Sequence, residues 1–308
     1  MSNKAATDPV IELKSSHWRL RLQPQNGLQT QACQLLSNKS WHNIMPDCTV
    51  NDDSSGTPLS ASNFHMLPYS NRVRDGEFYY AGQHYQIRDA ENHAIHGALR
   101  DRAWRVIDQS TNSVTAEYDT RVDGAVNWPW PIHASITYSL DDNVLISQMR
   151  LTNYGKSAMP AGMGWHPYFC RTIAGAEPEL TIPVTGMYPD KNGDCLPTGA
   201  AIALSTEIDF NEARRLDPTK RIDHCLAGFR SPAVLAWPDA GIRIEMHAST
   251  NCTHLVLFNP DQPYFAVEPV TNANDAFNLA AKGIDAGVHE LDPGQMLDAK
   301  MWLVGDLS

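Results

Sequence analysis

The sequence predicts an all-β chain of the sandwich or barrel-like kind, and three observations lead there. Apolar and polar residues alternate with a period of two through most of the chain, the pattern of strands that bury one face. Helical periodicity is confined to two short stretches. Polar loops punctuate the alternating segments, as they do in folds made of many short antiparallel strands.

The elements can be followed in order. Trp18, Leu20 and Leu22 alternate with His17, Arg19 and Arg21. Residues 77–87 read as two short strands around Ala81-Gly82, and residues 132–151 as a longer hairpin with Asp141-Asp142 at its turn. Further strands are expected at 114–118, 179–184, 242–247, 254–258, 264–267 and 300–304. Residues 211–216 have room for one or two helical turns, and 275–282 for about two, with Asn274 as their cap. The long loops at 47–64 and 186–201 are natural carriers of a site, as are inward strand positions.

The 308 residues, 42% apolar and 19% charged, suffice for one large core or two modest ones. No linker-like tract or internal repeat divides them, so a single domain over residues 1–308 is the simplest organisation. A formal charge of −11 with scattered Lys and Arg speaks against nucleic acid as a partner, because such binders cluster their cations. The densest basic cluster, between Arg100 and Arg105, is interrupted by Asp101 and reads as a solvated edge. Six cysteines stand singly, without a CxxC pair. The first residues lack the apolar core of a signal peptide, and no run has the length of a membrane span. Free thiols in a reducing cytoplasm and no membrane partner are therefore expected.

Three places hold polar residues where a core is expected. Glu268 follows the apolar run Tyr264-Phe265-Ala266-Val267 and alternates onto the face of Tyr264 and Ala266, where a carboxylate is costly unless paired or functional. Pro269 removes a ladder donor, so the strand is expected to end there, with Glu268 either at a cavity or turned to water. His166 lies in Met163-Gly164-Trp165-His166-Pro167-Tyr168-Phe169, either as a satisfied core residue or as a catalyst. In Asn92-His93-Ala94-Ile95-His96-Gly97 the histidine spacing fits no recognised zinc motif, although a zinc site of His96, His166 and Glu268 is geometrically conceivable. Gly97 beside His96 points to a close backbone approach or an unusual dihedral. Phosphate-binding loops and a GxSxG elbow are absent from the sequence, and no cysteine carries a nucleophile signature.

Taken together and in order, these segments resemble the aldose 1-epimerase (galactose mutarotase) family. The matching pieces are Asn71-Arg72 with Gly76, Phe78 and Gly82; His96-Gly97 with Trp104; His166-Pro167-Tyr168-Phe169; and Asp223-His224. Later come Glu268-Pro269-Val270-Thr271 with Asp275-Ala276-Phe277-Asn278, then Leu291-Asp292-Pro293-Gly294 before the last strand. The likeness runs from about Leu20 to Val304, nearly the whole chain.

The resemblance implies a large twisted antiparallel β-sandwich (the galactose mutarotase-like supersandwich) with few short helices and a sugar cleft on its concave face. It implies an isomerase without cofactor or metal, monomeric or homodimeric, whose partner is a small sugar. By position, Glu268 resembles the family's general base and His166 its general acid, with Arg72, His96 and Asp223 as substrate-binding residues. Trp165 stands where many galactose mutarotases have Asn, and is counted with the binding residues. Val270-Thr271-Asn272-Ala273-Asn274 lacks the proline often found before the Asp. With Asn127-Trp128-Pro129-Trp130-Pro131, these departures resemble a bacterial offshoot and leave the particular aldose open.

Mutarotation requires a proton taken from O1 and one given to the ring oxygen O5. Glu268 and His166 are expected on opposite sides of the sugar, ionised together by their mutual field. Trp165, Tyr168, Trp128 or Phe277 could stack on the sugar's apolar face. Two alternatives stand beside this reading. One is a mutarotase for an anionic hexose, phosphorylated or sulfonated, with Arg74, Arg100, Arg102 or Arg171 at the cleft. The other is a carbohydrate-binding protein of the same fold without turnover.

Overall fold

Strands dominate the computed structural model of the chain, which describes residues 10–49, 59–88 and 93–306. Asn92 and residues 50–58 of the expected 47–64 loop lie outside the described residues. A nine-stranded sheet runs in the order Arg105–Gln109, Ser113–Asp119, Ile132–Asp141, Val144–Asn153, Met296–Gly305, Ile242–Ala248, Ala233–Trp237, Glu179–Thr181 and Arg214–Arg215. A seven-stranded sheet packs against it, in the order Gly186–Met187, Ile222–Ala227, His254–Asn259, Tyr264–Val270, Gly164–Trp165 and His65–Met66. Its seventh strand, Tyr168–Cys170, also pairs with Tyr264–Val270. A four-stranded sheet at the start comprises Ile11–Lys14, Trp18–Gln23, Gln29–Ser37 and Ser40–Met45. Every strand pair within these sheets is antiparallel. The all-β antiparallel sandwich expected from the sequence is the observed fold.

Period-two alternation decides which face each residue joins. Met149 and Leu151 on one strand of the large sheet, with Met301 and Leu303 on the next, turn inward and are fully buried. From the facing sheet, Leu257, Phe265 and Val267 enter the same apolar cluster. Between the layers, Trp165 Nε1 donates to Ser147 Oγ at 2.9 Å. The outer face of the seven-stranded sheet carries Asp223 and Glu268 among apolar residues such as Val256, Phe258 and Ala266, and the candidate site lies there.

Several local expectations need correction. The hairpin turn is Asp142-Asn143, because Asp141 still pairs with Val144, and Asp142 takes the left-handed conformation (φ 46°). Residues 211–216 make no helix. Arg214–Arg215 is instead an edge strand on Glu179 and Leu180, so tertiary pairing overrides the local pattern. The short helix is Ala276–Ala281, with Asp275 rather than Asn274 at its N-cap position. Asn274 turns away and donates to the carbonyl of Cys195. The strand expected to stop at Pro269 continues to Val270, with Pro269 opposite Leu255. Among the described residues no helix is long and apolar enough to cross a membrane.

Candidate active site

His166 and Glu268 meet because two strands hold them in register. Gly164 pairs with Val270 and Tyr168 with Ala266, and counting inward from both pairs sets His166 opposite Glu268. Pro167 and Pro269 flank that position, and neither has an N–H to donate, so the ladder opens there. His166 N bonds sideways instead, to the carbonyl of Phe64 at 3.0 Å. Directly opposed side chains on one face are near neighbours. Here they touch: His166 Nε2 lies 3.2 Å from Glu268 Oε1.

Both groups are almost entirely withdrawn from solvent, at 5% and 1% exposure. Burial drives the Glu268 carboxyl well above its usual range, and the charge of Asp223 adds to the effect. Burial also lowers His166, to about 3, opposed by a hydrogen-bonding pull from its own backbone and assisted by the charge of Arg100. The expected ionised pair is therefore disfavoured at this site. A carboxylic acid facing a neutral imidazole, with one proton between them, is the form that burial favours. The pair also stands side by side rather than on opposite walls.

The neighbouring strands complete the floor. Glu268 pairs with Val256, while Ala266 pairs with Phe258, which pairs in turn with Asp223. Positions two apart share a face, so Asp223 and Glu268 look out on the same side. The Asp223 carboxyl is also raised, chiefly by burial. Cys195 Sγ–H donates to Asp223 Oδ2 at 3.1 Å and favours the charged form.

Arg72 and His96 enter from two adjoining segments tied by Asn71. The Asn71 carbonyl accepts from His96 N at 2.9 Å, and its side-chain oxygen accepts from Arg72 N at 2.8 Å. Arg72 itself pairs with Ile95 across a two-residue ladder. The expectation at Gly97 is met twice over: φ is 76°, and a Cβ there would lie 2.3 Å from the Leu67 carbonyl oxygen. The result is an open cleft of about 140 Å³, lined among others by Arg72, His96, His166, Tyr168, Asp223 and Glu268.

Five of the six expected site residues thus converge, and Trp165 does not. It is fully buried and bonded to Ser147 on the core side. The reason is strand alternation, since a residue next to His166 on an extended chain faces the other way. Trp128 and Phe277 likewise pack around Phe78, with centroids 5.6 and 5.0 Å from it. Tyr168 does face the cleft, its ring 4.5 Å from that of His166.

Of the candidate arginines, Arg171 is buried on the carbonyls of Gln262, Pro260 and Tyr264 and on Asn259. Arg74 pairs with Asp194 and Asp275, and Arg102 with Asp101. Arg100 approaches the site, with Nη1 2.9 Å from His96 Nδ1. Residues not singled out from the sequence also take part. Phe64 packs under both His96 and His166, with centroids at 5.1 and 4.6 Å, and Cys195 holds Asp223. Their neighbours in sequence carry no signal of this, because both contacts are made across the fold.

Among the described residues, no three His, Cys, Asp or Glu side chains converge as metal ligands would. His93 turns from His96 and accepts a hydrogen bond from Asp75 N at 2.8 Å.

Comparison with known proteins agrees with this fold. The chain is 26% identical over 260 residues to the uncharacterized protein YphB of Escherichia coli K12, covering 81% of this chain and 85% of that one. A galactose mutarotase-like protein from Clostridium acetobutylicum superposes with a TM-score of 0.79 at 20% identity, over 97% of this chain and 95% of its own. Another from Lactobacillus casei ATCC 334 gives 0.78 at 17% identity, over 97% and 100%. Both share the fold. The sequence matches the family model of aldose 1-epimerase over residues 48–303, most of its length, and the chain belongs to that family.

Proposed function

We propose that the chain is a mutarotase that interconverts the α and β anomers of a free aldose, with Glu268 as base and His166 as acid. The observation carrying this reading is the 3.2 Å contact of the two side chains on the floor of an open cleft. O1 and O5 of a sugar are bonded to the same carbon, so two groups standing side by side can serve both. In ring opening, the Glu268 carboxylate takes the O1 proton as the C1–O5 bond breaks. The electron pair of that bond goes to O5, which takes a proton from His166 Nε2, and C1 becomes a carbonyl. Rotation about C1–C2 presents the other carbonyl face, and the same steps reversed close the ring. Each positioned group contributes about 10²–10⁴-fold.

Burial favours the difficult half of this cycle. Opening converts a carboxylate and an imidazolium into a carboxylic acid and a neutral imidazole. A dry site penalises the charged pair more than the neutral one. The surroundings that raise Glu268 and lower His166 to about 3 therefore stabilise the ring-open state relative to the closed one. Before sugar binds, the shared proton can pass along the His166–Glu268 contact. Hydrogen bonds from O1–H to the carboxylate, and from the imidazolium to O5, then select the reactive form. Arg72 and His96 supply donors for the sugar, and Asp223 an acceptor.

Polarimetry or exchange NMR on freshly dissolved α-D-glucose and α-D-galactose tests the proposal. The protein should shorten the approach to anomeric equilibrium. A rate equal to the uncatalysed one across neutral, phosphorylated and sulfonated hexoses rejects it. Sugar binding without any acceleration would favour the carbohydrate-binding alternative.

One observation favours an anionic hexose as a second reading. Neither Arg72 nor Arg100 is in an ion pair among the described residues, while burial holds both cleft carboxyls toward their neutral forms. A phosphorylated or sulfonated sugar with a lower KM than its neutral parent, and a KM that rises with salt, supports this reading.

A further inference from the structure

We propose that Arg100 is a positioning residue that fixes His96 as the neutral Nε2–H tautomer, so that this histidine offers the sugar a donor and never an acceptor. This rests on the reading of His96 as a substrate-binding residue and adds a residue that reading does not contain. The argument starts from donor chemistry. A guanidinium has only N–H donors and no acceptor. With Arg100 Nη1 2.9 Å from His96 Nδ1, the ring nitrogen must accept, and the ring's single hydrogen must sit on Nε2. His96 lines the cleft, and no residue among those described is hydrogen-bonded to its Nε2.

Both partners are held where this requires. The Arg100 carbonyl accepts from Gln29 Nε2 at 2.8 Å, and the chain at Gly27 packs so closely on it that a Cβ there would lie 1.8 Å from that oxygen. The guanidinium carbon lies 5.6 Å above the centre of the Phe64 ring, and Phe64 also supports His96 at 5.1 Å. His96 adopts a left-handed backbone (φ 63°) and is anchored by its N–H on Asn71. Protonation of Nδ1 would set two donors against each other. Burial and the charges of Arg100 and Arg72, with His166 alongside, oppose it as well.

A donor fixed in this way discriminates among oxygens. Nε2–H can meet a ring oxygen or the lone pair of a hydroxyl, and that hydroxyl keeps its own hydrogen for Asp223 or Glu268. Without Arg100 the ring is free to take the other tautomer, which turns an Nε2 lone pair toward the sugar, and the hydroxyl's one hydrogen cannot then serve both the ring and a carboxylate.

The test combines long-range ¹H–¹⁵N NMR of the full chain with kinetics of Arg100→Met and Arg100→Lys. In the wild type, His96 should show the Nε2–H pattern and remain neutral well below the usual imidazole midpoint. In Arg100→Met the tautomers should mix, and KM should rise about tenfold, the worth of one hydrogen bond, with kcat within about twofold. Arg100→Lys, which keeps a donor, should restore part of both signals. An Nδ1–H pattern in the wild type overturns the proposal, as does an unchanged His96 spectrum in Arg100→Met. The NMR signature needs no turnover. A chain without mutarotase activity would therefore reject the functional reading while leaving the tautomer assignment to be decided separately.

Discussion

Cys195 Sγ lies 3.1 Å from Asp223 Oδ2, so a thiol on one loop orients a carboxylate on a strand that reaches the cleft floor. Cys195 is itself in a left-handed conformation (φ 61°), and its carbonyl is held by the Asn274 side chain at 2.8 Å. Asp190 secures the same loop, accepting from the backbone N–H groups of Gly193, Asp194 and Cys195. The loop is thus built to bring a donor to Asp223. Burial pushes the thiol up to about 12, so the group stays protonated and able to donate.

Removing that donor should loosen Asp223 without touching the proton-transfer pair. Cys195→Ala is expected to raise KM by about two- to tenfold, the range for one neutral hydrogen bond, with kcat nearly unchanged. Cys195→Ser keeps a hydroxyl donor and should stay close to wild type. Initial-rate mutarotation kinetics separate the two variants. Equal KM values in the Ala and Ser variants would leave Asp223 independent of Cys195.

Glu268→Gln should remove the base while preserving shape. A loss in kcat of about 10²–10⁴-fold is expected, with sugar binding retained. Stability should move the other way. The folded-state pKa of Glu268 lies above its unfolded value, so the folded chain holds this proton more tightly, and stability is lost as pH rises from the usual carboxylate range toward the raised value. Gln carries no such penalty. The Tm of the variant minus that of wild type should therefore grow with pH across that window, and a difference independent of pH would show that Glu268 is not held neutral.

How much of this was legible in the sequence differs from residue to residue. The strands were readable because alternation is local, and 132–151 formed the expected hairpin with its turn one residue later. Residues 211–216 carry no local sign of their extended form, because only pairing with the strand Glu179–Thr181 imposes it. His166 and Glu268 were conspicuous as polar groups among apolar ones. Their opposition depends on a strand register that the sequence does not print, although the prolines beside each mark the gap in the ladder. The inward turn of Trp165 is legible too, since alternation beside His166 directs it to the core. The contacts of Cys195 and Phe64 were not legible, because each joins segments far apart in the chain.

Buried neutral histidines should govern the acid limb of stability. Burial lowers His65 and His254 to about 4 and His166 to about 3, all below the value of about 6.5 for an exposed imidazole. Between these limits the unfolded chain binds more protons than the folded one, so stability falls as pH drops below about 6.5. His254 sits on the Tyr188 hydroxyl at 3.0 Å and Thr253 Oγ1 at 2.9 Å, away from the cleft. His254→Gln should flatten the dependence of unfolding free energy on pH by about one proton's slope between about pH 6 and 4. Urea titrations across that range read the slope directly, whatever the variant's absolute stability.

Gly97 and Gly82 separate conformational strain from collision. Both have positive φ, 76° and 74°. A Cβ at Gly82 meets nothing within 4 Å, so Gly82→Ala should cost only the left-handed penalty, about 1–2 kcal/mol. A Cβ at Gly97 would lie 2.3 Å from the Leu67 carbonyl oxygen and 2.6 Å from the Leu67 nitrogen, and backbone cannot swing aside as a side chain can. Gly97→Ala must therefore displace the segment that carries His96, and through it the seat of Arg100. Its melting point should fall further than that of Gly82→Ala, and its KM should rise while that of Gly82→Ala stays at the wild-type value. Thermal melts and mutarotation kinetics on the two variants, measured together, decide the matter. Equal losses in both would mean that the close approach at Leu67 does not hold the histidine in place.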